Sequence, residues 1–437
     1  MRDKRPINAD LPLEQEESPT RPEPPRRRRR PVPAALKGIA GLVVVAIVFL
    51  AAAVLGGGGG ANRAVEKTSN PSAPAPAPEE SATPTAEAAE ELGFPTIATD
   101  NTTRVGGSDP ASTAAAVALA VYPARTTAQR PAAVTLVDEG EWQAAIAAAV
   151  LMATPVRAPL LVTAGGDLPD PTAQALEALA PAGSKATGGM QAFAIGGAVR
   201  PEELKTTAVG GSSPAATAAA LAGLRDRLIG RPPSHFVLAS AKQPEFALPA
   251  AAWAARSGDP VLFTDAAKLP AATAKVLERR PKVPVYVLGP SSAISSDVFR
   301  EVAKLGNPVR RVSGEDPVEN AIAFARYSNG GFGWNVNDPG HGFVLARDDA
   351  PLDAAVAAPL SGSGTWGPLL LSDDPGTLPK AVREYMLDVK PGYTTDPTRA
   401  FYNHVWVIGD QEAIDVNQQA EIDQLAELTK IGGSGSP

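Results

Sequence analysis

Pro159-Leu160-Leu161-Val162-Thr163 reads as a short buried strand, and it returns as Pro260-Val261-Leu262-Phe263-Thr264 and as Pro368-Leu369-Leu370-Leu371-Ser372. A continuous apolar run of this length suits a parallel strand covered on both faces. Upstream of each run stands a second one: Val134-Thr135-Leu136-Val137, Phe236-Val237-Leu238-Ala239 and Phe343-Val344-Leu345-Ala346. Alanine-rich helical stretches separate the two. Downstream, a Leu-Pro pair at 168–169, 269–270 and 378–379 opens another helix. A third strand then closes each copy: Phe193-Ala194-Ile195-Gly196, Val285-Tyr286-Val287-Leu288-Gly289 and Val405-Trp406-Val407-Ile408-Gly409. The copies begin at Arg104-Val105-Gly106-Gly107, Val209-Gly210-Gly211 and Arg311-Val312-Ser313-Gly314, at offsets of 104 and 103 residues. Strands alternating with helices in this way predict an α/β chain of three tandem Rossmann-like parallel-sheet units. Their bounds fall at 95–200, 201–306 and 307–437. The third carries an insertion around Pro391-Gly392-Tyr393-Thr394-Thr395-Asp396-Pro397 and a C-terminal tail.

The residues before 95 set the expected compartment. Residues 1–33 hold 9 basic and 6 acidic side chains, end in five consecutive arginines, and read as a disordered basic tail. Residues 34–55 form an apolar run whose one charge, Lys37, lies in the first turn. At 1.5 Å per residue the run makes about 33 Å of helix, enough for a hydrocarbon core of roughly 30 Å. The arginines on its N-terminal side place the N-terminus in the cytoplasm and everything after residue 55 outside. A cleaved signal peptide is the competing reading, although such leaders have shorter basic regions and an A-x-A-like site. Residues 56–94 are rich in Gly, Ala, Pro, Ser and Glu and read as a semi-extended linker with a coil dimension of roughly 35 Å.

Composition removes several kinds of chemistry. The 437 residues include no cysteine, so disulfides, thiolate metal sites and a cysteine nucleophile are excluded. The three histidines, His235, His341 and His404, have no metal-ligand spacing. The net charge of −7 argues against a nucleic-acid partner. No phosphate loop, dinucleotide fingerprint or G-x-S-x-G elbow occurs, and no cofactor is expected.

Charged residues beyond the carboxyl ends of the strands are the natural place for a ligand in an open parallel sheet. The densest cluster is Arg347-Asp348-Asp349 with Asp353. Arg347 offers a planar fork for a carboxylate or phosphate, and Asp348 and Asp353 either share the ligand or neutralise the arginine. A second candidate is the loop Asn329-Gly330-Gly331-Phe332-Gly333-Trp334-Asn335, where Phe332 and Trp334 offer rings for a sugar to stack on, or else pack against a neighbouring unit. Asp109-Pro110, Ser213-Pro214 and Asp316-Pro317 read as helix caps followed by proline at the first helical position. Trp142 and Trp253 read as core, and His235 and His404 as turn residues.

The threefold pattern resembles the cell wall-binding repeat 2 family of tandem triple modules on bacterial surface-layer proteins, adhesins and wall hydrolases. That family's G-x-D-R-Y-x-T-A start is echoed by Asp109 with Thr113-Ala114, by Thr217-Ala218 and by Asp316, and its D-A-L step by Asp353-Ala354. Pro159-Leu160-Leu161-Val162-Thr163 and Ile195-Gly196-Gly197 match its two strand motifs. The Arg-Tyr pair of the start is Pro-Ala, Pro-Ala and Pro-Val here. Together with the membrane helix read at 34–55, the resemblance implies a non-catalytic envelope protein whose external module binds cell wall polymer or polysaccharide. The first 37 residues hold 10 basic and 6 acidic side chains, so the rest carries −11 of the total −7. That acidity keeps a second reading open, an envelope scaffold binding a partner protein. A hydrolase with a site near 347–353 is the third.

Overall fold

The computed structural model describes residues 98–363 and 367–431. The expected tail, membrane helix at 34–55 and linker lie outside the described residues, and among the described residues no helix is long and apolar enough to cross a membrane. Nearly all of the repeat region is described, and it holds three four-stranded, wholly parallel sheets.

The first sheet runs β3 (Leu160–Thr163), β2 (Val134–Asp138), β4 (Ala192–Ile195), β5 (Thr206–Val209). The second repeats that order with β7 (Val261–Thr264), β6 (Phe236–Ser240), β8 (Val285–Leu288), β9 (Val309–Val312). In the third the order is β11 (Leu369–Ser372), β10 (Gly342–Arg347), β13 (His404–Ile408) and β1 (Thr102–Val105). The sheets therefore do not coincide with the sequence repeat. The strand that opens each copy is the edge strand of the preceding copy's sheet. The strand that opens the first copy, β1, travels round to complete the third sheet. Each opening strand is followed by a helix: α1 (Pro110–Val121), α4 (Pro214–Ile229) or α9 (Pro317–Arg326). These helices cross over and pack on β3, β7 and β11 of their own copy, so every strand-to-helix step bridges two sheets. The chain closes into a ring.

The turn between opening strand and helix explains the glycine signature. A Cβ at Gly107, Gly211 or Gly314 would lie 2.5, 2.5 or 2.3 Å from the first turn of the following helix. Contacts that short are not tolerated, so the turn admits only glycine. The caps behave as expected: Asp109, Ser213 and Asp316 accept from the backbone N–H three residues on, at 2.9, 3.2 and 2.8 Å.

Small side chains hold the ring's centre. The second helical stretch of each copy is α2 (Trp142–Ala148) with a 3₁₀ turn at Ala149–Met152, α5 (Pro244–Ala247) with α6 (Pro249–Ser257), and α10 (Pro351–Val356) with α11 (Ala358–Gly362). These stretches meet pairwise about a common centre. Ala148, Ala149, Ala251, Ala254, Ala355 and Ala358 are buried there. A Cβ on Gly362 would stand 2.8 Å from the Ala255 carbonyl oxygen, so the helices approach to backbone distance. With so few aromatics, close packing of many methyl groups supplies the burial that each alanine alone supplies only weakly.

Outside this core, α3 (Asp170–Leu179), α7 (Ala271–Glu278) and α12 (Lys380–Asp388) follow the edge strands β3, β7 and β11, while α8 (Ser296–Lys304) and α13 (Val416–Ala426) follow β8 and β13. The insertion of the third copy contributes β12 (Gly392–Tyr393), which pairs in parallel with β14 (Thr429–Lys430).

Arg104 on β1 is fully buried and closes the ring chemically. Its Nε donates to Gln419 Oε1 (3.1 Å), Nη1 to the carbonyls of Gly409 and Asp410 (3.1 and 2.5 Å), and Nη2 to the Ile414 carbonyl (2.5 Å). Arg311, at the same place on β9, donates to the carbonyls of Gly289 and Ile294 (2.6 and 2.7 Å) but is only half-buried. Ala208 fills this place on β5. Arg104→Ala strands three carbonyls, those of Gly409 and Ile414 buried and that of Asp410 part-buried. It is expected to cost about 3 kcal/mol or more, against about 1 kcal/mol for Arg311→Ala. Urea unfolding of the full chain and both variants, followed by circular dichroism, measures the difference; equal losses would mean that ring closure does not depend on the guanidinium.

Candidate functional site

Two cavities face opposite ends of the strands. The first, of about 230 Å³, lies at the carboxyl ends of β1, β10 and β13 and exists because the ring closes there. Its walls come from Gly107 and Ser108 after β1, Arg347 and Asp353 after β10, and Asp410 and Glu412 after β13. Equivalent mouths in the other copies are filled from within. Glu141 reaches across the first, its Oε1 accepting from the Gly197 N–H (3.3 Å), and Phe246 lies against Gly289 in the second. Asp353 stands at the third residue of its helix, as Phe246 does, and leaves space that the ring of phenylalanine fills.

Of the residues read from sequence, Arg347 and Asp353 line this crevice and Asp348 stands beside it. Arg347 grips Asp349 bidentately, Nε to Oδ1 at 3.0 Å and Nη2 to Oδ2 at 2.8 Å, while Nη1 is buried with no partner. The salt-bridged Asp349 carboxyl is held below the usual carboxylate range by its hydrogen bonds from Arg347. Asp348 is pushed up, first by burial and then by the Asp349 charge. Asp353 is also pushed up, chiefly by burial, with the Thr113 hydroxyl hydrogen bond working the other way and the Asp109 and Asp410 charges adding to the rise. The crevice is thus an acceptor-rich mouth with one unspent guanidinium donor. It suits hydroxyl groups better than phosphates. Among the described residues no cluster of His, Asp and Glu could hold a metal ion.

Phe332 and Trp334 are not in this crevice. Phe332 is 1% exposed, stacked on Tyr286 with ring centres 3.6 Å apart and planes at 5°, and flanked by Phe324 and Trp253. The ring offered as a sugar platform is core, because the loop folds back through paired Asn329–Phe332 backbone hydrogen bonds and the Tyr286 hydroxyl donates to Asn329. Trp334 is half-buried, edge-to-face with Trp253 (5.5 Å, 79°), and lines the second cavity. That cavity, of about 730 Å³, sits at the amino ends of β6, β7 and β10. His235 lines it too, paired through Nδ1 with Asp259 Oδ2 at 3.0 Å. Trp253 is core, as expected, and Trp142 packs edge-on against Phe263.

In the sequence Thr113 and Arg104 stand only as parts of the first copy's start, with no site role attached to either. Their signals were present, however: Gly107 to Thr113 and Gly211 to Thr217 share a six-residue spacing, and each glycine N–H donates to that threonine's Oγ1 (3.4 and 3.1 Å). The His235–Asp259 pair, 24 residues apart, left no local trace.

The fold and its crevice define a triple α/β ring module, and comparison with known proteins places it. Residues 208–299 match the family "Cell wall binding domain 2 (CWB2)", so the chain carries a cell wall binding domain, and the resemblance read from the repeats is borne out. Of the solved structures, Cwp6 from Clostridium difficile is similar over 75% of this chain and 48% of its own (TM-score 0.61, 19% identity). Cwp8 from Clostridium difficile is similar over 75% of this chain and 52% of its own (TM-score 0.57, 20% identity). The chain spans about half the length of each, and at such identities the likeness is one of fold. None of the curated proteins matches this chain in sequence.

The Asp353 environment has a measurable consequence. Its carboxyl titrates higher folded than unfolded, so the unfolded state ionises first as pH rises. The stabilisation is full below the ordinary carboxylate value near ~4 and is lost as pH rises through the folded value. Asp353→Asn keeps an oxygen to accept from Thr113 and removes the charge. The variant is expected to be more stable than the parent at pH 7, with the gap closing below about pH 4. Unfolding midpoints at pH 3.5, 5 and 7 check this; a gap independent of pH would contradict it.

Proposed function

We propose that the chain is a non-catalytic protein of the bacterial cell envelope whose triple module binds wall polymer, anchored by a membrane helix at residues 34–55 with the module outside. The match of the central copy to a cell wall binding domain carries this reading, and the same strand order in all three sheets extends it to the flanking copies. The crevice beside Arg347, Asp348 and Asp353 is the polymer contact within it. Its carboxylates accept from sugar hydroxyls, and Nη1 of Arg347 supplies a donor. Such contacts recognise a hydroxylated polymer without requiring a basic surface, which the net charge of −7 does not supply.

Full-length protein in detergent, sedimented with washed cell walls, is expected to be retained, and Arg347→Ala to lower retention about tenfold, a loss of 1.4 kcal/mol. Retention unchanged by the substitution would remove the crevice as the contact; no retention would remove the polymer reading. The scaffold alternative draws on Phe401 and Tyr402, which stand 70% and 55% exposed beside the third-copy insertion. Capture of one protein by a chain that ignores walls would favour it.

The cysteine-free chain makes topology directly testable. A cysteine introduced as Ser436→Cys is expected to react with a membrane-impermeant maleimide on intact cells, and one introduced as Ser18→Cys only after lysis. The reverse pattern would invert the assigned orientation.

A further inference from the structure

The larger cavity is lined by chemistry that ring assembly does not explain. Asp259 is 3% exposed and its carboxylate accepts three hydrogen bonds: from the His235 backbone N–H (3.0 Å), from His235 Nδ1 (3.0 Å) and from the Trp253 indole N–H (3.1 Å). A carboxylate acceptor at Nδ1 fixes the ring proton there. Nε2 is left as the outward atom of a ring whose orientation is locked by Tyr286 and Phe332, and among the described residues it has no hydrogen-bond partner. The indole N–H of Trp334 is also without an acceptor. Arg256 stands exposed on the rim. The mouth is kept clear by Gly330 and Gly331, where an added Cβ would meet nothing within 4 Å. Buried polar groups are normally satisfied, and the Trp334 indole N–H is buried without an acceptor among the described residues.

We propose that this basin is a second, separate binding site, for a sugar unit that carries a carboxylate. A ring hydroxyl donates to His235 Nε2, the partly exposed indole of Trp334 lies along the sugar, and Arg256 takes the carboxylate in its planar fork. The cavity volume of about 730 Å³ falls within the range of small-ligand sites. The site lies at the strands' amino ends, away from the crevice, so it does not depend on the wall-polymer contact assigned there.

Titration of the full-length protein with N-acetylmuramic acid and with N-acetylglucosamine, which lacks the carboxylate, tests it through the fluorescence of the two basin tryptophans. The muramic acid is expected to give a saturable change with a dissociation constant on the order of 1 mM. Affinity for N-acetylglucosamine is expected to be at least tenfold weaker. Arg256→Ala, on the exposed rim, should weaken only the acidic sugar, to the level of the neutral one, with circular dichroism confirming that the variant folds. His235→Ala should abolish both responses, with circular dichroism confirming that the variant folds. No saturation with either sugar, equal affinity for the two, or an unchanged response in Arg256→Ala overturns the proposal. Walls retained by a chain blind to both sugars would sink this inference and spare the polymer reading; sugar binding without wall retention would do the opposite.

Discussion

A parallel sheet needs each new strand delivered by a crossover, and here one crossover per copy, the step from opening strand to helix, runs from one sheet to the next while the others stay within a sheet. Because β5, β9 and β1 each complete the sheet of another copy, no copy holds a full sheet by itself. The edge that would otherwise expose unpaired N–H and C=O groups is covered by the neighbour's opening strand. Arg104 seals the last of these joints, where chain continuity gives no help: β1 and β13 are about three hundred residues apart in sequence. Its guanidinium satisfies carbonyls that bend away from the sheet after β13, a task for which a long, always-charged, five-donor side chain is suited.

That closure determines where ligands can sit. Crossover helices must pass close to the ring's centre, and only alanine and glycine let them approach to backbone distance there. The carboxyl-end mouths of the first two copies are consequently shallow and are filled by Glu141 and Phe246. The third mouth, built from β10, β13 and the returning β1, is left open by Asp353. The amino-end basin has a different origin. It depends on the loop between α9 and β10, longer in the third copy than in its counterparts, which folds its Phe332 into a neighbouring copy's aromatic core and leaves Trp334 at the wall.

The two cavities differ electrically as well. Burial, and after it the neighbouring carboxylates, raises Asp348 and Asp353 in the crevice, and its arginine is largely spent on Asp349. In the basin the one buried carboxylate accepts three hydrogen bonds, and the imidazole of His235 and the indole of Trp334 are among the groups that line the space. Net acidity of the chain therefore describes the crevice but not the basin, and the glycan contacts proposed for them differ accordingly: hydroxyls at one end of the strands and an acid group at the other.

The sequence by itself determined the elements: three recurrences of apolar strand and alanine-rich helix, the capped helix starts at Asp109, Ser213 and Asp316, and the glycines after each opening strand. Those are local properties, set by side-chain period, cap chemistry and the absence of a Cβ. It also put Arg347, Asp348 and Asp353 at a strand's carboxyl end, where the first and last of them line one crevice. Only tertiary structure decided which sheet each opening strand joins, since a strand of four residues carries no record of its partner. For the same reason Phe332 looked like a surface ring: its burial depends on Tyr286 and Trp253, supplied by another copy. The pairing of His235 with Asp259 is likewise a product of two strand starts lying side by side, a proximity created by parallel pairing and absent from the chain's linear order.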